Sequence, residues 1–190
     1  MKKLADSVSM WLVENEIIGK DDSELYAYGF WQGGVMLVNF LTVAVIGIIF
    51  GMFWQSVVFT IAYGLLRTVA GGFHASTQGK CYICSILLLV FVLGILCWEQ
   101  WNEINCILVV LVSGSVIFKL APVEDKNKPL DDVEVVVYKY RSRIICGVLT
   151  IVVSILLLIN ESEIASCITV SFLAVSVMLI LGVVKNKYMR

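Results

Sequence analysis

A nucleophile and a base stand seven residues apart in the segment from Arg67 to Cys81: His74 is the chain's only histidine and Cys81 its first cysteine. Thiol chemistry runs through the thiolate, and a free cysteine with a pKa of about 8.5 needs a neighbouring base or cation to supply it at neutral pH. His74 is the only imidazole available for that task. On one continuous helix the two side chains would share a face yet stand about 10 Å apart along the axis, beyond hydrogen-bond reach. The chain is therefore expected to fold back between them, with Gly71, Gly72 and Gly79 supplying the permissive backbone. Ser76, Thr77 and Gln78 make this a polar turn, and any of the three is available to orient the imidazole. The ordinary alternative is a loop histidine and a buried cysteine with no joint role.

Other polar residues near the pair have competing readings. Arg67, seven residues before His74, could steady an acidic substrate or an oxyanion, or could be an anchor snorkelling to lipid headgroups. Cys81 and Cys84 form a CxxC pattern, which elsewhere signals redox or metal work. No second CxxC and no second histidine completes a zinc site, so no metal is expected. A membrane thiol-disulfide oxidoreductase is the first rival function, and it requires Cys84 as strictly as Cys81. Cys97, Cys106, Cys146 and Cys167 lie in or near apolar runs, where cysteine acts as a small hydrophobe.

The setting for this chemistry is a membrane. Of 190 residues, 59% are hydrophobic and 15% charged, and the mean hydropathy is +0.91, against about 45–50% apolar residues in soluble domains. Six apolar runs, at 30–50, 52–66, 82–98, 104–118, 144–159 and 164–184, predict an all-α polytopic helical bundle in a single membrane-embedded domain. The second and fourth are short for a bilayer that needs about 20 residues, and tilt or local thinning would accommodate them. A non-catalytic peptide transporter or scaffold is the second rival. The polar residues within the runs, such as Asn39, Gln55 and Ser154, are too few to define a transport path. Nucleic-acid binding has no support at a net charge of −1.

Charge sets the expected topology. With the N-terminus inside, all 14 basic residues fall on the inner side, while the outer loops hold only Glu99, Glu103, Glu161 and Glu163. Both termini and the 67–81 loop are thus expected at the cytoplasmic face of the cell membrane. Residues 1–29 lack the apolar core of a signal peptide. Within them Leu4, Val8, Trp11, Leu12 and Ile18 recur near helical spacing, predicting an amphipathic interfacial helix able to hold a second amphipathic peptide. The segment 119–143 reads as a solvated cytoplasmic basic loop stiffened by Pro122 and Pro129. Its end, with Lys139, Arg141 and Arg143, is suited to anionic lipid or to an acidic peptide tail.

Three blocks carry a resemblance. Arg67, the run Ala70 to Ala75 around His74, and Cys81 at its distance resemble the active-site block of the accessory gene regulator B family, membrane peptidases of quorum-sensing propeptides. The stretch Ala121 to Leu130 resembles that family's inner-loop signature, and Tyr28 with Gly29 resembles its entry into the membrane. The resemblance implies a bacterial cell-membrane cysteine endopeptidase with Cys81 as nucleophile and His74 as base. It implies an AgrD-like propeptide as partner, held as an enzyme thioester and then closed to a thiolactone or lactone. That chemistry needs no cofactor. A homodimer is a further expectation, since membrane helices pack readily on one another.

Overall fold

The computed structural model describes residues 2–73, 75, 77–98, 101–124 and 130–188, with Gln78 by its backbone alone. His74, Ser76, Glu99, Lys126, Lys128, Pro129 and Arg190 lie outside the described residues. Among those described, the chain forms seven α-helices and no strand: α1 (Lys2–Glu14), α2 (Ser23–Ile49), α3 (Phe53–Ala70), α4 (Gln78–Trp98), α5 (Glu103–Leu120), α6 (Asp132–Leu158) and α7 (Ser162–Tyr188). A 3-10 turn, Lys20–Asp22, precedes α2.

Each of the six apolar runs is a helix, and α2, α4, α5, α6 and α7 are long and apolar enough to cross a membrane. The helix that falls short is α3, whose 18 residues include Gln55 and Arg67. Helix ends depart further from the hydropathy. The first four residues of the 67–81 segment are the last turn of α3, and Gln78 to Cys81 are the first turn of α4, so only 71–77 is non-helical. Gly79 therefore lies in a helix rather than at the expected bend.

The 119–143 segment is also not a solvated connector throughout. From Asp132 onward it is the first three turns of α6. Asp131 starts that helix: its Oδ1 accepts from the Glu134 N–H at 2.6 Å, and a Glu134 carboxylate oxygen accepts from the Asp131 N–H at 3.3 Å. Such a reciprocal cap satisfies two donors that a helix start leaves open. Hydropathy sees the polar residues of those turns and is blind to the cap.

The chain divides into two compact units, Met1–Thr42 and Val43–Arg190. In the first, Ser9 of α1 is buried and its hydroxyl donates to the Ser23 carbonyl at 2.6 Å, while Leu4 and Trp11 stay exposed. Helix α1 ends at Glu14, so Ile18 is outside the amphipathic helix expected from its spacing.

In the second unit α7 is the central helix, packed by α3, α5, α6 and α4. Phe172, Val175 and Leu179 of α7 meet Leu66 of α3 and Ile117 of α5 in one cluster; Val170 meets Phe59 of α3 and Leu93 of α4 in another. Small residues on α7, among them Ala165, Ser166, Ser171 and Ala174, let neighbouring backbones approach. Their hydroxyls do not stay orphaned: Thr169 donates to the Ala165 carbonyl at 2.8 Å and Ser171 to that of Ile168 at 2.6 Å. Polar atoms in an apolar interior are satisfied this way at little cost. Asn39 and Ser154 likewise donate to carbonyls one turn back. Cys106, Cys146 and Cys167 are buried as expected of small hydrophobes, whereas Cys97 is exposed; none of the six cysteines forms a disulfide.

Candidate active site

Helix α3 ends because the backbone must turn sharply at two glycines. Gly71 has φ +70° and Gly72 φ +113°, values that favour glycine over any residue with a Cβ. Beyond them the chain runs as a strap pinned from two directions. Val123 pairs with Gly71: its N–H donates to the Ala70 carbonyl at 2.9 Å, and its own carbonyl accepts from the Gly72 N–H at 2.9 Å. On the other side the Phe73 N–H donates to the Met178 carbonyl of α7 at 2.9 Å. The chain is thus fixed up to Phe73, the residue before His74.

The approach to α7 is close enough to forbid side chains. A Cβ on Gly72 would lie 2.8 Å from the Met178 oxygen and from Arg67 Nη1, and one on Gly182 would lie 2.8 Å from the Phe73 nitrogen. The aromatic ring of Phe73 is capped by Lys185, whose Nζ sits 5.2 Å from its centroid. Glu124, next to Val123, accepts through its carbonyl from the Asn186 side chain at 2.8 Å. Two sequence blocks that looked independent, 67–81 and 121–130, are therefore joined by main-chain hydrogen bonds.

Arg67 is turned into the protein, not outward as a headgroup anchor. Its Nη2 donates to the Phe73 carbonyl. Tyr63, one turn earlier on α3, lies within electrostatic reach of the guanidinium, and its ring stacks on Phe59 at 5.5 Å. Arg67 Nη1 is buried with no hydrogen-bond partner among the described residues, which leaves one strong donor available. Tyr63 is also within electrostatic reach of Cys81.

Cys81 belongs to the first turn of α4 and is half-buried; Cys84, one turn on, is exposed. The Cys81 N–H donates to the Thr77 carbonyl at 3.0 Å, and Thr77 Oγ1 accepts from the Lys80 N–H at 3.3 Å. Thr77 is thereby engaged in starting the helix. A helix start gathers N–H dipoles that favour negative charge nearby. Of the residues singled out from the sequence, Arg67 in the last turn of α3 and Cys81 in the first turn of α4 each lie within electrostatic reach of Tyr63. His74 and the Gln78 side chain lie outside the described residues. Sequence reasoning missed Tyr63, Met178 and Gly182, and placed Val123 only within the 121–130 block without its pairing to Gly71. Only the spacing of Tyr63 and Arg67, four residues apart on a helix, was available as a signal.

Comparison with known proteins adds a consistent set of relatives. The sequence pattern defining accessory gene regulator B matches residues 5–180. The AgrB-like protein 2 of Clostridium perfringens strain 13 is 26% identical over 137 residues, 68% of this chain and 62% of that protein. An AgrB-like protein of Clostridium acetobutylicum is 24% identical over 174 residues, 90% of this chain and 81% of the relative. The accessory gene regulator protein B of Staphylococcus aureus strain MW2 is 32% identical over 107 residues, 56% of this chain and 57% of that protein. The chain thus spans less than two thirds of the Clostridium perfringens strain 13 and Staphylococcus aureus proteins. No solved structure matches it significantly.

Proposed function

Because the chain belongs to the accessory gene regulator B family, matched over residues 5–180, we propose that it is a membrane cysteine endopeptidase that cuts and cyclises a small quorum-sensing propeptide of the AgrD type. The observation that carries this reading is the half-buried Cys81 thiol at the start of α4, within electrostatic reach of Tyr63, which in turn is in reach of Arg67, the residue that holds the strap leading to His74.

The chemistry follows from the groups present. His74 takes the Cys81 proton, the thiolate attacks the scissile carbonyl, and the tetrahedral oxyanion is stabilised by a fixed donor such as Arg67 Nη1. The C–N bond breaks, His74 returns its proton to the leaving amine, and the acyl group remains on Cys81 as a thioester. A thiol or hydroxyl within the peptide then attacks that thioester, closing a ring and releasing Cys81. The acyl bond stays activated only while water is kept out, and a site at the membrane boundary both excludes water and holds the internal nucleophile close. Both termini and this site face the cytoplasm on the distribution of basic residues.

Mass spectrometry of proteoliposomes incubated with a synthetic amphipathic propeptide of the AgrD type tests the reading. The expected product is a truncated peptide one water lighter than its linear form, made by the unmodified protein and lost in Cys81→Ala and His74→Ala. If the peptide stays whole throughout while Cys81 and Cys84 exchange a disulfide, the oxidoreductase reading replaces this one.

A further inference from the structure

A groove of about 520 Å³ runs between α5 and α6, away from the candidate active site. Its floor is made by small residues: Gly114 lies where a Cβ would be 3.7 Å from Cys146 Sγ, and Gly147 has open space above it. Its walls are apolar, from Val110 and Leu111 on one helix to Ile151 on the other. One end alone is charged. There Lys119 is exposed, and the Arg143 guanidinium lies 4.1 Å from the centroid of the Phe118 ring. Neither cation has a carboxylate partner among the described residues.

Length and charge together select an occupant. From Phe118 to Val110, and from Arg143 to Ile151, the groove follows eight residues of helix, about 12 Å. One leaflet of hydrocarbon is half of a core about 30 Å thick, so the groove matches a single leaflet. Lys119 and Arg143 stand where the apolar runs of α5 and α6 end, the level at which phosphates of that leaflet lie. We propose that this groove binds one anionic phospholipid, with an acyl chain against Gly114 and Gly147 and the phosphate between Lys119 and Arg143. Apolar contact alone gives no preference among lipids, since every acyl chain is equally apolar; the two cations give the selectivity, and Arg143 is held in place by its ring contact. A second copy of the chain fits less well. A twofold contact about the membrane normal would bring Lys119 and Arg143 against the same pair on the other copy.

Native mass spectrometry of the detergent-purified full chain, given equal amounts of dioleoylphosphatidylglycerol and dioleoylphosphatidylcholine, tests this. The unmodified protein is expected to retain the anionic lipid preferentially, and Lys119→Ala and Arg143→Ala each to lower that preference about five-fold. Lys119 is exposed, so its removal does not threaten folding. Gly147→Leu, which fills the groove while leaving both charges, is expected to lower retention of both lipids. Equal retention of the two lipids by the unmodified protein would overturn the proposal. So would displacement of bound lipid by glycerol 1-phosphate alone, or a dimer lost in Gly147→Leu with lipid retention unchanged.

Discussion

Arg67 is the side chain on which the candidate site turns. One nitrogen holds the Phe73 carbonyl and another is buried without a partner among the described residues. Lysine at this position keeps the charge but loses the planar fork that serves two partners at once. Arg67→Lys is expected to lower the rate of propeptide cleavage about 10- to 100-fold, the range set by losing a hydrogen bond to a charged group of about 1.5–3 kcal/mol. Tyr63→Phe removes a hydroxyl within electrostatic reach of the same guanidinium and is expected to act in the same direction with a smaller effect; unchanged cleavage in both would separate this pair from the chemistry. Cys81→Ala should abolish cleavage while Cys84→Ala preserves it, since only the first thiol is half-buried and within electrostatic reach of Tyr63. Equal loss in both variants would favour the redox alternative.

At the scale of elements, the strap 71–73 is held by its closeness to Val123 and α7, and glycine is what permits that closeness. Gly182→Ala puts a methyl 2.8 Å from the Gly72 and Phe73 backbone, and Gly72→Ala adds a positive φ to a similar clash. Each is expected to destabilise by about 1–3 kcal/mol, read as a lower thermal midpoint and faster hydrogen exchange at the Phe73 amide. Gly79→Ala is the control: nothing lies within 4 Å of the added atom. A gain of about 0.5–1 kcal/mol is expected there from helix propensity. Asp131→Ala should cost about 1 kcal/mol through the cap of α6. The glycines at 71 and 72 were legible as a bend from their types. Their partners were not, because Val123, Met178 and Gly182 are distant in sequence and carry no chemical signature of their own.

For the whole molecule the open quantity is the parity of membrane crossings. Five helices meet the length and hydropathy needed to cross, and α3 falls short. Six crossings put both termini on one side, whereas five put them on opposite sides. We propose the even number, since no arrangement with five crossings keeps all 14 basic residues on one side. Epitope tags at both termini are therefore expected to resist protease added outside intact cells, while one inserted at Asn160 is cleaved. Cleavage of one terminal tag would mean that α3 re-enters without crossing, moving the candidate site relative to the bilayer.

Helices long and apolar enough to span a membrane and the all-helical class could be read from the residues alone, because each depends on residue type and short spacing; the pairing of Cys81 with His74 is a proposal made from the sequence, since His74 lies outside the described residues. The tertiary structure decided which helix is central, where Arg67 points and what holds the strap. Hydropathy makes α7 one apolar run among six, and only packing sets it amid four others. Arg67 at the end of an apolar run has two destinations of similar chemistry, headgroups or the protein interior. The Phe73 carbonyl draws it inward. The hydrogen bonds joining Ala70 and Gly72 to Val123 run through the backbone, which every residue shares, so the side-chain sequence holds no mark of them.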